Sequence, residues 1–256
     1  MYYISFSCVW LGTLACTLAG SCLLLCVLHY IFFHFLNKKK NEFLSLLREK
    51  ENVGIIIAHP DDEIMFFFPT IKLLFDKKKK AEIFLLSLSN GDYYGQGRIR
   101  EKELYHVWSY IGGLKNNCKV INDPNIRDGW NFWNEKCLVD VIADYCTRNN
   151  IRKVLTFDEY GVSGHPNHIS VHNSLRLLSK EKGIKVLTLN STHLIIKYLG
   201  LFSLPFLLQT KFLTFQFNPV LLLKLMSIYR SQFVFYRILF CICSQYAYFN
   251  SFDLLN

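Results

Sequence analysis

The first 36 residues contain no Asp, Glu, Lys or Arg, and the run ends abruptly at Lys38-Lys39-Lys40. A helix of about 20 apolar residues crosses the hydrocarbon core of a bilayer, so this stretch is long enough to span one. A cleaved signal peptide opens on a basic region and carries an apolar core of roughly 7–15 residues. Here Met1-Tyr2-Tyr3-Ile4 has no basic side chain and the apolar run is far longer, so one retained transmembrane anchor over 1–36 is expected. Lys38, Lys39, Lys40, Arg48 and Lys50 all follow the span. Basic flanks stay cytoplasmic, which places the bulk of the chain on the cytosolic side.

The remaining 220 or so residues are enough for a core that needs no disulfide staples. The whole chain is 51% hydrophobic and 19% charged, with a formal charge of +9. That excludes a disordered tail. A positive balance suits either nucleic acid or an anionic membrane surface. The basic residues flank apolar segments and no DNA- or RNA-binding motif accompanies them, so the expected partner is a membrane and not nucleic acid. Of the nine cysteines, Cys8, Cys16, Cys22 and Cys26 fall in the apolar run as small hydrophobes. Cys118, Cys137, Cys146, Cys241 and Cys243 show no CxxC spacing, which suggests neither a zinc ribbon nor a disulfide frame and fits a reducing compartment.

After a basic polar linker expected over 37–52, strand-like and helix-like runs alternate. Val53–Ile57, Ala81–Leu88, Lys119–Ile121, Arg152–Phe157 and Ile184–Leu189 read as strands. Ile64–Phe75, Arg98–Ile111, Glu135–Asn149 and His168–Lys180 read as helices, with Lys77–Lys80 as a solvated turn. Such alternation predicts an α/β domain over 53–256: a Rossmann-like, mostly parallel sheet with helices on both faces. Its ligand belongs at the carboxyl ends of the strands. From Leu194 to Tyr248 the chain becomes Phe- and Leu-rich, but Lys211, Lys224 and Arg230 interrupt it, so no second span is expected. Two readings stay open for 194–248: core helices closing the sheet, or a surface dipping into the membrane interface.

Directly after the first strand comes Ala58-His59-Pro60-Asp61-Asp62-Glu63. An aspartate there is a ready helix cap, but a cap needs one carboxylate and explains neither the histidine nor the second acid. A second cluster, Asp158-Glu159-Tyr160-Gly161-Val162-Ser163-Gly164-His165-Pro166-Asn167-His168, follows the fourth strand. Together the two strand ends offer three or four N/O ligands, the set with which a catalytic zinc keeps one position for water.

These residues resemble the zinc-dependent, LmbE-like sugar de-N-acetylase family, whose eukaryotic PIG-L branch removes acetate from N-acetylglucosaminyl-phosphatidylinositol in glycosylphosphatidylinositol (GPI) anchor synthesis. The likeness continues through Ser89-Asn90-Gly91-Asp92, Gln96-Gly97-Arg98-Ile99-Arg100-Glu101-Lys102-Glu103-Leu104 and the late Arg230-Ser231-Gln232. It implies Zn2+ or another divalent ion held by His59, Asp62 and His168. It makes Asp61 the general base and gives a protonated His165 the oxyanion and the leaving amine. It also implies substrate binding by Arg100 and by Asp128. Read from spacing alone, Arg100 is equally a surface partner of Glu103. The resemblance implies a single-pass endoplasmic-reticulum enzyme acting on a membrane glycolipid. A de-N-acetylase of another N-acetylglucosamine conjugate and an inactive membrane scaffold are the alternatives.

Overall fold

Five short apolar runs form the parallel part of one sheet. The computed structural model describes residues 2–47, 51–79 and 82–255, with side chains from Thr17 onward. Arg48, Lys50, Lys80, Ala81 and the side chains of Cys8 and Cys16, all used in the sequence reading, lie outside the described residues. Strands β1 (Asn52–Ile57), β2 (Ile83–Ser87), β3 (Cys118–Val120), β4 (Ile151–Phe157) and β5 (Lys185–Leu189) pair in parallel in the order β3-β2-β1-β4-β5. Every residue of β2 is buried, as a strand covered on both faces requires.

Two more strands extend the sheet beyond β5. β7 (Phe249–Leu254) runs antiparallel to β5, and β6 (Phe212–Phe215) antiparallel to β7. This corrects the helical reading of 194–248, because part of that segment is an edge strand. Phe212 finds its partner at Phe252, far along the chain, and no local periodicity announces such a pairing.

The helices are α1 (Tyr2–Leu47), α2 (Asp62–Met65), α3 (Phe68–Lys77), α4 (Gly97–Tyr110), α5 (Glu135–Arg148), α6 (Gly161–Gly164), α7 (Pro166–Lys182), α8 (Leu194–Lys197), α9 (Leu204–Leu207), α10 (Pro219–Met226) and α11 (Phe235–Cys243). The single helix expected over 64–75 is broken at Phe66 and Phe67, since Pro69 sits in the first turn of α3 and cannot donate to a continuing helix. The chain steps from β1 to β3 in one direction and from β4 to β5 in the other. Right-handed crossovers therefore put α3 and α4 on one face and α5 and α7, which pack together, on the other.

The linker expected over 37–52 is also corrected. α1 continues without a break to Leu47, and Leu36, Phe43 and Leu47 are fully buried. Their spacing of seven and four residues makes one helical stripe, which docks on β6. The ring of Phe43 stacks on Phe252 at 5.4 Å. Above this dock the helix projects free of the domain, with Leu23 67% and Tyr30 70% exposed. It is long and apolar enough to cross a membrane.

Candidate active site

The order in which successive strands are added reverses between the parallel neighbours β1 and β4, and a crevice opens at that switch point beyond the strands' carboxyl ends. Both motif-bearing turns leave the sheet there. Out of β1, the backbone N–H groups of Ala58 and His59 donate to Asp62 Oδ2 at 3.2 and 2.8 Å, folding the turn around the carboxylate that opens α2. Out of β4, Gly161 takes a positive φ of 58°, and a Cβ there would lie 2.8 Å from the Cβ of His168. Only glycine lets that turn approach the histidine so closely.

His59 Nδ1 and His168 Nε2 lie 3.5 and 3.3 Å from Asp62 Oδ2, and 3.4 Å from each other. A point equidistant from three atoms so spaced lies about 2.0 Å from each, the length of zinc–imidazole and zinc–carboxylate bonds. The outer hydrogen bonds agree with that use. His59 Nε2 faces two acceptors, Asn167 Oδ1 at 2.9 Å and Asp128 Oδ1 at 3.0 Å, so it carries a proton and leaves Nδ1 as the ligand atom. His168 Nδ1 donates to the carbonyl of Gly161 at 3.0 Å, which turns the lone pair of Nε2 inward. Such outer partners fix tautomer and ring orientation in metal-binding histidines. Three acceptors thus face one point, and the site attracts a cation. Burial pulls the His59 imidazole down, but the hydrogen bonds and charges of Asp128 and Asp62 outweigh it and hold it up at about 9, so without a metal the ring takes a second proton, which an ion at Nδ1 would displace. Burial likewise pushes Asp62 up, yet His168 and His59 keep it well below the usual carboxylate range.

Asp61 stands next to this cluster in a left-handed conformation, φ 99°, that side chains rarely adopt. It occupies the N-cap position of α2 but makes no side-chain capping bond, so capping does not account for it. Its carboxylate instead meets two guanidinium groups, Arg100 Nη2 at 3.3 Å and Arg237 Nη1 of α11. Its backbone N–H donates to Glu63 Oε2 at 3.0 Å, and Glu63 Oε1 accepts from Tyr229 Oη at 2.6 Å. Burial pushes Glu63 up to about 8. The strain at Asp61 is therefore held from several sides.

Arg100 is not the surface partner of Glu103. It is 7% exposed and donates to the carbonyls of Gly91 and Pro60 at 2.9 and 2.6 Å, besides facing Asp61 and, at 3.5 Å, Asp128. Gly91, at φ 72°, leaves the room that guanidinium needs, since a Cβ there would lie 2.4 Å from Nη1. Glu103 turns to the backbone N–H and hydroxyl of Ser231. That bond ties the Arg230-Ser231-Gln232 segment to α4 and brings Gln232, Tyr236 and Arg237 to the cleft. Asp128 bridges His59 and Arg100. Burial raises its carboxyl, but the His59 hydrogen bond and the Arg100 charge hold it below the usual range.

His165 completes the wall of the cleft. Its Nδ1 accepts from the N–H of Asn167 at 3.2 Å, so the proton sits on Nε2. Burial, followed by repulsion from His59 and His168, pulls it down to about 4. The protonated imidazole expected from sequence is thus a neutral N–H donor at physiological pH. Just before it, Val162 also holds a left-handed φ of 63°, a strained choice for a β-branched residue. Its N–H donates to Ser191 Oγ at 2.8 Å, Ser191 is held in turn by Asp158, and Lys197 caps the Val162 carbonyl.

All seven residues singled out from sequence line one cleft of about 530 Å3, whose walls include Tyr93, Tyr94 and Trp130. Arg237 and Asn167 were missed. Arg237 is the sole charged residue between Arg230 and Asp253, a signal that was legible. Burial pulls it down to about 10, which leaves it cationic at neutral pH.

A Rossmann-like sheet with two histidines and an aspartate converging at its switch point, and a spare carboxylate beside them, is the arrangement of an α/β hydrolase built around a metal site. The structure is similar to N,N'-diacetylchitobiose deacetylase from Pyrococcus horikoshii, with a TM-score of 0.60 over 88% of this chain and 92% of that one. At 15% identity the likeness concerns the fold. Residues 55–178 match the family model of PIG-L, GlcNAc-PI de-N-acetylase. The chain is 38% identical over 215 residues to N-acetylglucosaminyl-phosphatidylinositol de-N-acetylase of Bos taurus, covering 78% of this chain and 82% of that one. To the probable enzyme of that name in Dictyostelium discoideum it is 32% identical over 259 residues, covering 85% of this chain and 97% of that one. The chain belongs to the PIG-L family of N-acetylglucosaminyl-phosphatidylinositol de-N-acetylases.

Proposed function

We propose that this chain hydrolyses the N-acetyl group of N-acetylglucosaminyl-phosphatidylinositol, giving glucosaminyl-phosphatidylinositol and acetate, the second step of GPI-anchor synthesis. The observation that carries this is the convergence of His59 Nδ1, Asp62 Oδ2 and His168 Nε2 beside Asp61, in a chain matched along most of its length by relatives of that name. These three atoms would hold the metal, zinc by the donor set and spacing. Bound there, the ion would supply Lewis-acid polarisation of the acetyl carbonyl and a lowered pKa for a water.

The chain's own residues do the rest. Asp61 accepts a proton from the water whose oxygen bonds to the acyl carbon. Arg100 and Arg237 hold that carboxylate in place, so Arg100 is a positioning residue here. The neutral Nε2–H of His165 donates to the oxygen that gains negative charge. As the C–N bond breaks, the amine takes up the proton that Asp61 removed, and acetate leaves. Asp128 keeps His59 in the ligating tautomer. In this reading α1 is the membrane anchor; Lys38–Lys40 after the span support a cytosolic orientation of the domain, and the relatives' step in GPI-anchor synthesis supports the endoplasmic reticulum.

The test is acetate release by the purified full chain from N-acetylglucosaminyl-phosphatidylinositol in mixed micelles, with chelator and with zinc restored. Release that chelator abolishes and zinc restores is expected. No release at saturating zinc, or release indifferent to chelator, would overturn the proposal.

A further inference from the structure

The transmembrane helix and the active site leave the domain at the same edge of the sheet. β6 is antiparallel to β7, which is antiparallel to β5, so β6 points the same way as β1 and β4. α1 runs against it. Phe43 stacks on Phe252, the register partner of Phe212 at the start of β6. Lys40 lies over the ring of Phe215 at its end, 5.2 Å away. Phe33 meets Phe217 beyond that end, 6.5 Å between ring centres. The apolar part of α1 that precedes Phe33 therefore projects past the carboxyl edge, where the cleft opens.

That edge is greasy outside the cleft as well. Phe202 is 82% exposed, Phe206 52%, Phe235 73%, Tyr236 67% and Leu239 43%. α11 turns Phe235, Tyr236 and Leu239 outward, and Tyr236 also lines the cleft. α11 packs against the 3-10 turn Gly200–Ser203 that carries Phe202 and leads into α9. Leu208, just after α9, shares an apolar groove with Leu28 and Phe35 of α1. One apolar face thus runs from the projecting helix to the mouth of the cleft. The segment that supplies it carries one sign of charge: from Lys182 through Phe252 there are seven Lys or Arg and no Asp or Glu. Lys38, on the part of α1 that lies against the end of β6, and Arg230, on the segment that Glu103 ties beside the cleft, are exposed at this edge.

Monomeric soluble proteins seldom expose so continuous an apolar face. We propose that this edge seats on an anionic phospholipid leaflet, with Phe202, Phe206, Phe235 and Leu239 sunk among the headgroups beside the entry point of α1. This rests on the reading of α1 as a membrane anchor. Apolar side chains at the acyl boundary and basic ones at headgroup level are the division such interfacial surfaces use. The mouth of the cleft then opens onto the leaflet, and a glycolipid reaches the site with its acyl chains still in the bilayer.

The test is photocrosslinking, which needs no catalysis and so fails or succeeds apart from the deacetylase reading. The full chain is reconstituted in phosphatidylcholine–phosphatidylserine vesicles with p-benzoyl-phenylalanine at position 24, 114, 202 or 235. Leu114 is exposed and precedes β3, at the opposite edge of the sheet. Phospholipid adducts are expected at 24, 202 and 235 and not at 114, with lower yields at 202 and 235 when phosphatidylserine is omitted. Adducts at 24 alone would mean that the domain stands off the bilayer and would overturn the proposal. Crosslinks from 202 and 235 to protein would overturn it in favour of a protein partner. Lack of lipid adducts even at 24 would overturn the anchor reading and the proposal with it.

Discussion

The turns after β1 and β4 and the apolar segment after Leu194 line the same cleft by opposite means. The first region packs His59, Asp61, Asp62, His165 and His168 onto tight, partly strained turns at the centre of the sheet. The second adds one cation, Arg237, and a rim of Gln232 and Tyr236, and spends its apolar residues outward. Chemistry sits at the centre of the sheet, whereas access and orientation come from the periphery. Strain is tolerable at the centre because Glu63 and two arginines over-determine Asp61, and Ser191 and Lys197 do the same for Val162.

If that division holds, damage should grade with the region hit. Asp61→Asn keeps the side chain's shape and one acceptor oxygen but cannot accept the proton. Turnover should fall by about 10²–10⁴-fold while metal content stays at the wild-type level. Near-normal turnover would remove Asp61 from the chemistry. Arg237→Met asks whether the periphery reaches the reaction at all. A hydrogen bond to a charged group is worth about 1.5–3 kcal/mol, so turnover should fall by roughly 10-fold or more, with metal retained. An unaffected rate would reduce the segment after Leu194 to a cover. The smallest effect belongs to the outer face. Phe202→Ser with Phe235→Ser should raise the apparent KM for glycolipid in vesicles a few-fold and leave the rate on a water-soluble headgroup analogue unchanged. Equal losses on both substrates would show that these residues support the fold and not the encounter with the membrane.

The same two regions differ in how far their sequence can be read. β1, β2, β4 and β5 stand out as β-branched or apolar runs between polar turns, and the His-Pro-Asp-Asp-Glu and His-x-x-His segments concentrate more ligands than a structural turn uses. Both properties are local. β6 is four residues, Phe212–Phe215, inside a segment apolar throughout, where a strand and a buried helix look alike. What makes it a strand is β7, and that pairing is long-range. The end of α1 was hidden by Lys38–Lys40, although Leu36, Phe43 and Leu47 already fall on one helical stripe. Arg100 was ambiguous because its spacing to Glu103 suits a helix surface, and its burial depends on the carbonyls of Pro60 and Gly91. The charge state of His165 is set by neighbours from three separate turns.

The central claim is that His59, Asp62 and His168 hold a metal on which His165 acts from outside the ligand set. Metal analysis of purified full-length protein at limiting zinc tests it most directly. Wild type and His165→Ala should each carry about one zinc per chain, whereas His168→Ala, left with two protein ligands, should be metal-poor. A zinc-replete His168→Ala beside a zinc-depleted His165→Ala, or a wild type that binds no zinc, would contradict the account.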